Sequence, residues 1–130
     1  MFYHRKQKYH NEKMVVYGIT FDSKHEAQRF LILHDMEKRG EISGLKLQEK
    51  FVLVPAQREK STEIYKAGKN KGAPKPGKMI EKEVAYYADF VYTDSGGNLV
   101  VEDAKGMKTR EYILKRKLML YIHGIRIKEV

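Results

Sequence analysis

The chain has no cysteine among its 130 residues. That excludes disulfides and cysteine-ligated zinc, and it suits a reducing interior. No apolar run is long enough to cross a bilayer. The opening Met1-Phe2-Tyr3-His4-Arg5-Lys6 lacks the apolar stretch of a secretory signal. The expectation is therefore a cytoplasmic protein with no membrane partner. The five histidines, His4, His10, His25, His34 and His123, fall at no metal-ligand spacing. No glycine-rich segment has the form of a phosphate cradle, and there is no internal repeat.

What the chain has instead is positive charge, with a net +9 and a pI near 9.6. A balance that basic favours a polyanionic partner, nucleic acid ahead of an anionic lipid surface. The length allows one domain, 1–130, with one core. Residues 1–13 read as a basic arm. Residues 56–82 hold eight Lys and Arg together with Gly68, Gly72, Pro74, Pro76 and Gly77, a composition that reads as a flexible basic loop.

The rest of the chain shows periodic elements. Val15 to Phe21 reads as a short strand or an extended lead-in. Ser23 to Arg39 predicts a helix, with Asp22 or Ser23 as its cap and Ala27, Phe30, Leu31 and His34 at helical spacing. Leu45 to Val54 alternates as a strand and ends at Pro55. Residues 83–105 form a hairpin around Asp94-Ser95-Gly96-Gly97-Asn98. Thr109 to His123 predicts a second helix with an apolar stripe of Leu114, Leu118, Tyr121 and Ile122, and Ile125 to Val130 a last strand. The order α-β-β-β-α-β gives an α/β fold, a central mixed sheet flanked by helices.

The chemistry concentrates in the hairpin. Asp103 and Lys105 are two apart and share a strand face, and Asp89 on the neighbouring strand can lie beside them. Both carboxylates sit in otherwise apolar strands, where a bare charge is costly unless paired or metal-bound. Two carboxylates and an ammonium suit Mg²⁺, with Mn²⁺ as a substitute, and an attacking water. The plainer alternative is a pair of solvated hairpin acids held by Lys105. Glu102 points to the other face and takes a structural role. Tyr87 shares a face with Asp89. Glu26 fits a capping box with Ser23, in which it reaches back to the cap.

Tyr87-Ala88-Asp89-Phe90 followed by Glu102-Asp103-Ala104-Lys105-Gly106 resembles the signature of the PD-(D/E)XK nuclease superfamily. With Gly18-Ile19-Thr20-Phe21-Asp22-Ser23-Lys24-His25-Glu26 before it and Met107-Lys108-Thr109 after it, the pattern is similar to a family of small phage-encoded proteins within that superfamily. The resemblance implies a restriction-endonuclease-like core. Asp89 matches the first acidic residue, Asp103 and Lys105 the second and the lysine, and Glu26 the helix glutamate of resolvase-like members. The departure is Ala88 where the superfamily has proline. A Lys117-x-x-x-Tyr121 pair stands where some members have Gln-x-x-x-Tyr.

These readings together describe a metal-dependent DNA endonuclease. Asp89, Asp103 and Glu26 are its expected metal ligands, and Lys105 completes the catalytic set. Lys105 orients the water, stabilises the developing charge or acts as general base. Lys108, Arg110, Lys115, Lys117, Tyr87, Lys69, Lys71 and Lys75 are the expected nucleic-acid contacts, Lys115 foremost. Branched DNA such as a Holliday junction is the expected substrate, and by analogy with small resolvases the protein acts as a homodimer. The first alternative is a nucleic-acid binding protein that keeps the fold without catalysis. The second is an adaptor in a genome-handling complex.

Overall fold

The computed structural model describes residues 12–130, so the basic arm expected over 1–13 lies almost wholly outside the described residues. Met14–Val16 (β1) and Ile19–Phe21 (β2) form a small hairpin. Its turn uses Gly18, and Tyr17 also takes a positive φ. Helix α1, Lys24–Lys38, starts at Ser23, whose hydroxyl accepts the Glu26 N–H at 3.1 Å. Strand β3, Ser43–Val54, leads through β4 (Gln57–Arg58) and β5 (Met79–Glu81) to β6, Val84–Thr93. Strand β7 is Leu99–Asp103, helix α2 Arg110–His123 and β8 Lys128–Glu129. Thr109 caps α2 at its start and Gly124, left-handed at φ 66°, ends it.

The central sheet runs β3-β6-β7-β8. The first two pairings are antiparallel and β7–β8 is parallel. That is a mixed sheet in an α/β fold, as the pattern of elements predicted. Helix α1 covers one face with Ala27, Phe30 and Leu33, packed with Phe90, Tyr92 and Ala104. Helix α2 covers the other with Tyr112 and Met119, packed with Leu53, Tyr86, Ala88, Val91 and Val101.

Two helix faces differ from the expected ones. On α1, Leu33 is fully buried and Leu31 exposed. On α2 the buried residues are Tyr112 and Met119, while Leu114, Tyr121 and Ile122 are exposed. The predicted stripe follows helical periodicity, but the sheet contacts a face about one residue position away from it. Residues 56–82 also have more structure than a loop. They fold back on themselves as a two-stranded ribbon, with Gln57 opposite Glu81, Arg58 opposite Met79 and a further bridge between Ile64 and Pro74.

Simple alternation would put Tyr86, Ala88, Phe90 and Tyr92 on one face. Instead Tyr86 and Ala88 pack with α2, and Phe90 and Tyr92 with α1. Strand β3 changes face at the same level, with Leu45 and Leu47 toward α1 and Phe51 and Leu53 toward α2. The β3–β6 register stays in step through the change, since Leu47 opposes Phe90 and Glu49 opposes Ala88. Gln48, at φ 51°, sits at the switch point on β3, and Asp89 sits at the same level on β6. Strand β7 follows β6 only as far as the Phe90–Glu102 pair, and beyond it the two strands part.

The α1 side of β7 holds a buried ion pair. Glu102 has no exposed side-chain surface and meets Arg29 through both oxygens, at 2.7 and 2.8 Å; the Tyr92 hydroxyl also donates to it. Burial alone would raise the Glu102 carboxyl. The Arg29 and Tyr92 hydrogen bonds outweigh it and hold the group below its usual 4.5. Its contribution to stability is therefore present above pH 4.5 and fades as pH falls through the lower folded value. Arg29→Met strands the carboxylate and should cost about 3 kcal/mol by urea denaturation at pH 7. The Arg29→Met/Glu102→Gln double variant should recover part of that loss. No penalty in the single variant would rule out the pairing.

Candidate active site

The parting of β6 and β7 opens a cleft, and Asp89 stands at its apex. Asp89 Oδ2 accepts the Ala104 N–H at 2.9 Å, a donor left without a strand partner once β7 has turned away. Asp89 Oδ1 accepts the Gln48 side-chain amide at 3.0 Å. The same Gln48 nitrogen is 3.4 Å from Glu26 Oε1. Gln48 therefore bridges two carboxylates from different elements.

Glu26 is held by the first turn of α1. Ser23 caps the helix as expected, but the Glu26 side chain reaches toward Gln48 and lines the cleft, so the reciprocal half of a capping box is not formed. Burial, then the charges of Asp89, Asp22 and Asp103, push its carboxyl up to about 7, with Lys105 opposing. Among the described residues the Lys105 ammonium is what offsets these four carboxyl groups, so the cleft carries excess negative charge.

Asp103 and Lys105 come from the end of β7. Asp103 is 1 % exposed, and its Oδ2 accepts the Tyr86 hydroxyl at 2.6 Å. Its Oδ1 is buried with no hydrogen-bond partner, 4.0 Å from Lys105 Nζ. Burial raises this carboxyl; the Tyr86 hydrogen bond opposes, Asp89 adds to the rise, and Lys105 opposes it again. Lys105 lies over the Tyr112 ring at 5.3 Å. The main cleft, about 780 Å³, is lined by Asp22, Glu26, Asp89, Lys105 and Thr109. A neighbouring opening shares Asp22, Asp89 and Lys105 and adds Tyr87, Tyr112 and Lys115.

Three of the four expected catalytic side chains, Glu26, Asp89 and Lys105, thus line one opening, and Asp103 is buried behind it, 4.0 Å from Lys105. Among the described residues no three of His, Asp and Glu stand in ligating positions. The donor set still suits a hard cation. An orphaned buried carboxylate oxygen, a Glu raised by burial and by its acidic neighbours, and all-oxygen donors are what Mg²⁺ or Mn²⁺ would satisfy.

The expected nucleic-acid contacts divide. Lys115 and Tyr87 line the opening beside Asp89, and Lys115 also pairs with Glu111 at 3.0 Å. Lys108 pairs with Glu129 of β8. Arg110 and Lys117 are exposed on α2 and line none of the openings around Asp89. Lys69, Lys71 and Lys75 sit on the ribbon. Sequence reasoning missed Gln48, Asp22 and Tyr86. The one available signal was Asp22, which falls within the stretch matched to the superfamily; nothing in the strand pattern marks Gln48.

The fold and cleft define a mixed α/β domain with a carboxylate–lysine centre. The chain belongs to the family described as "Protein of unknown function (DUF1064)", whose model matches residues 6–128. No curated protein and no solved structure gives a significant match.

A carboxyl raised on folding holds its proton more tightly in the native state. The native state therefore loses stability as pH rises from 4.5 through about 7. Glu26→Gln should stabilise the metal-free protein at pH 8 by up to about 3 kcal/mol, at about 1.4 kcal/mol per pKa unit, and by less than about 1 kcal/mol at pH 5. Thermal or urea unfolding at the two pH values checks it; an equal effect at both would show that folding does not raise the Glu26 carboxyl.

Proposed function

We propose that the chain is a metal-dependent deoxyribonuclease that hydrolyses phosphodiester bonds within DNA. The observation that carries this reading is the unpartnered, buried Asp103 Oδ1. It lies 4.0 Å from Lys105, beside a cleft lined by Asp89 and Glu26, whose charges already repel one another. Such a centre lacks positive charge, while the chain as a whole carries +9. That contrast suits a polyanionic substrate whose reacting group is brought to a cation.

Asp89, Asp103 and Glu26 would hold the ion once their side chains close on it, since in the metal-free chain they do not form a ligating group of three. Bound there, Mg²⁺ or Mn²⁺ supplies neutralisation of phosphoryl-oxygen charge and a more acidic water. The protein's own groups do the positioning. Gln48 holds Asp89 and Glu26 in place, and Tyr86 does the same for Asp103. Lys105 is the one ammonium beside both the orphaned oxygen and the cleft, suited to orienting water or balancing charge on the phosphorane-like transition state. Lys115 at the rim suits a backbone phosphate. With no base-reading module, selection falls to DNA shape. A branched substrate such as a Holliday junction, cut by a homodimer of matching symmetry, is the proposed form.

The complete burial of Asp103 favours a second reading, a nucleic-acid binding protein that keeps the fold without hydrolysis. Supercoiled, linear and four-way DNA incubated with Mg²⁺, Mn²⁺ or EDTA separates the two. Hydrolysis predicts metal-dependent cutting that falls about 100-fold or more in Lys105→Met and Asp103→Asn, with DNA binding retained. Calorimetric titration with Mn²⁺ should show binding heat in the unaltered chain and none in Asp89→Asn/Asp103→Asn. Binding of DNA with neither cutting nor Mn²⁺ heat would leave the second reading.

A further inference from the structure

We propose that residues 57–81 are a DNA-inserting arm, a two-stranded β-ribbon that enters the major groove of a B-form duplex. The proposal rests on the nucleic-acid half of the reading above, not on hydrolysis. The ribbon is built by its backbone. Beyond the Gln57–Glu81 and Arg58–Met79 pairs, the Glu59 N–H donates to Lys78 O at 2.9 Å, the Lys75 N–H to Glu63 O at 2.9 Å, the Tyr65 N–H to Ala73 O at 3.0 Å and the Gly72 N–H to Tyr65 O at 2.8 Å. Its strands belong to a sheet of their own, and no residue from 56 to 82 is buried. An isolated two-stranded ribbon is marginal in water, so what it contacts decides its purpose.

Its charge changes along its length. Toward the base acids and bases are mixed: Glu59 stands opposite Lys78 and Glu63 opposite Lys75, with Arg58, Lys60 and Glu81 near them. Beyond the Tyr65–Ala73 pair there is no acidic residue, and Lys66, Lys69 and Lys71 are the charges of the tip. A major groove about 12 Å wide admits a two-stranded ribbon. The deep, narrow major groove of A-form RNA does not. Near the base, Gly77 lets the two strands close. A Cβ there would stand 1.7 Å from the Glu59 carbonyl oxygen, and that carbonyl is backbone and cannot swing aside. Gly77→Ala therefore spoils the ribbon's geometry while keeping every lysine.

The test is equilibrium binding in EDTA, where no cutting intervenes, with the whole chain. Its ligands are a plain DNA duplex, the same duplex with glucosylated 5-hydroxymethylcytosine filling the major groove, and the matching RNA duplex. The unaltered chain should bind plain DNA about tenfold more tightly than the filled duplex and than RNA. Gly77→Ala should lose that preference. Lys66→Gln/Lys69→Gln/Lys71→Gln/Lys75→Gln should bind more weakly, with a salt slope lower by about 0.9 per phosphate contact removed. Unchanged thermal unfolding of both variants would show that the body is intact. Equal binding to plain and filled DNA, RNA bound as tightly as DNA, or a Gly77→Ala chain indistinguishable from the unaltered one would each overturn the arm. A chain that passes these tests yet never cuts DNA would sink the hydrolase reading and leave the arm standing.

Discussion

The Asp89 carboxylate takes the backbone N–H of Ala104 at the point where two strands stop pairing. A strand that leaves its neighbour exposes donors that must be satisfied, because an unpaired buried amide costs about as much as a lost hydrogen bond. Here a side chain does what the next residue of a ladder would have done. The strands can then separate without that penalty, and the gap becomes the cleft. Gln48 holds the other oxygen from β3 and touches Glu26 of α1. One carboxylate therefore ties three strands and a helix to a common point, and its geometry is set by the same contacts that shape the opening.

The adjacent acids of β7 are treated in opposite ways. Glu102 is buried toward α1 and fully answered by Arg29 and Tyr92. Asp103 is buried toward α2 with one oxygen answered by Tyr86 and the other by nothing nearer than Lys105 at 4.0 Å. Burial penalises both carboxylates, and only the first has its compensation built in. An uncompensated carboxylate beside Asp89 and Glu26 leaves the excess negative charge at the cleft rather than at the ion pair. It also explains why burial and like charge raise Glu26 and Asp103 while Glu102 is lowered.

Much of this arrangement was legible in the residues. Ser23, Thr109 and Gly124 announce the helix ends, and the structure uses each of them. The Asp94-to-Asn98 turn announces the hairpin that pairs β6 with β7. The opposite faces of Glu102 and Asp103 follow from strand alternation over a single step, where no irregularity intervenes. Alternation misled over longer spans. Tyr86 and Phe90 have the same parity and face different helices, because the strand changes phase at Asp89. The stripe on α2 was displaced for a related reason: helical periodicity defines several neighbouring faces, and the sheet's position selects among them. The ribbon of residues 56–82 hid behind a loop-like composition, since its bonds are backbone-to-backbone and carry no side-chain signature.

From the residues alone come the element order, the strongly basic charge balance, and the grouping of Asp89, Asp103 and Lys105 on one hairpin. These depend on local periodicity and composition, which a chain carries before it folds. The tertiary structure alone decided that Gln48 would bridge Glu26 to Asp89, that Tyr86 would reach Asp103, and that one oxygen of Asp103 would be left without a partner. Those outcomes rest on where two strands part and on how deeply each carboxylate is buried, and both arise only when elements distant in sequence are packed together.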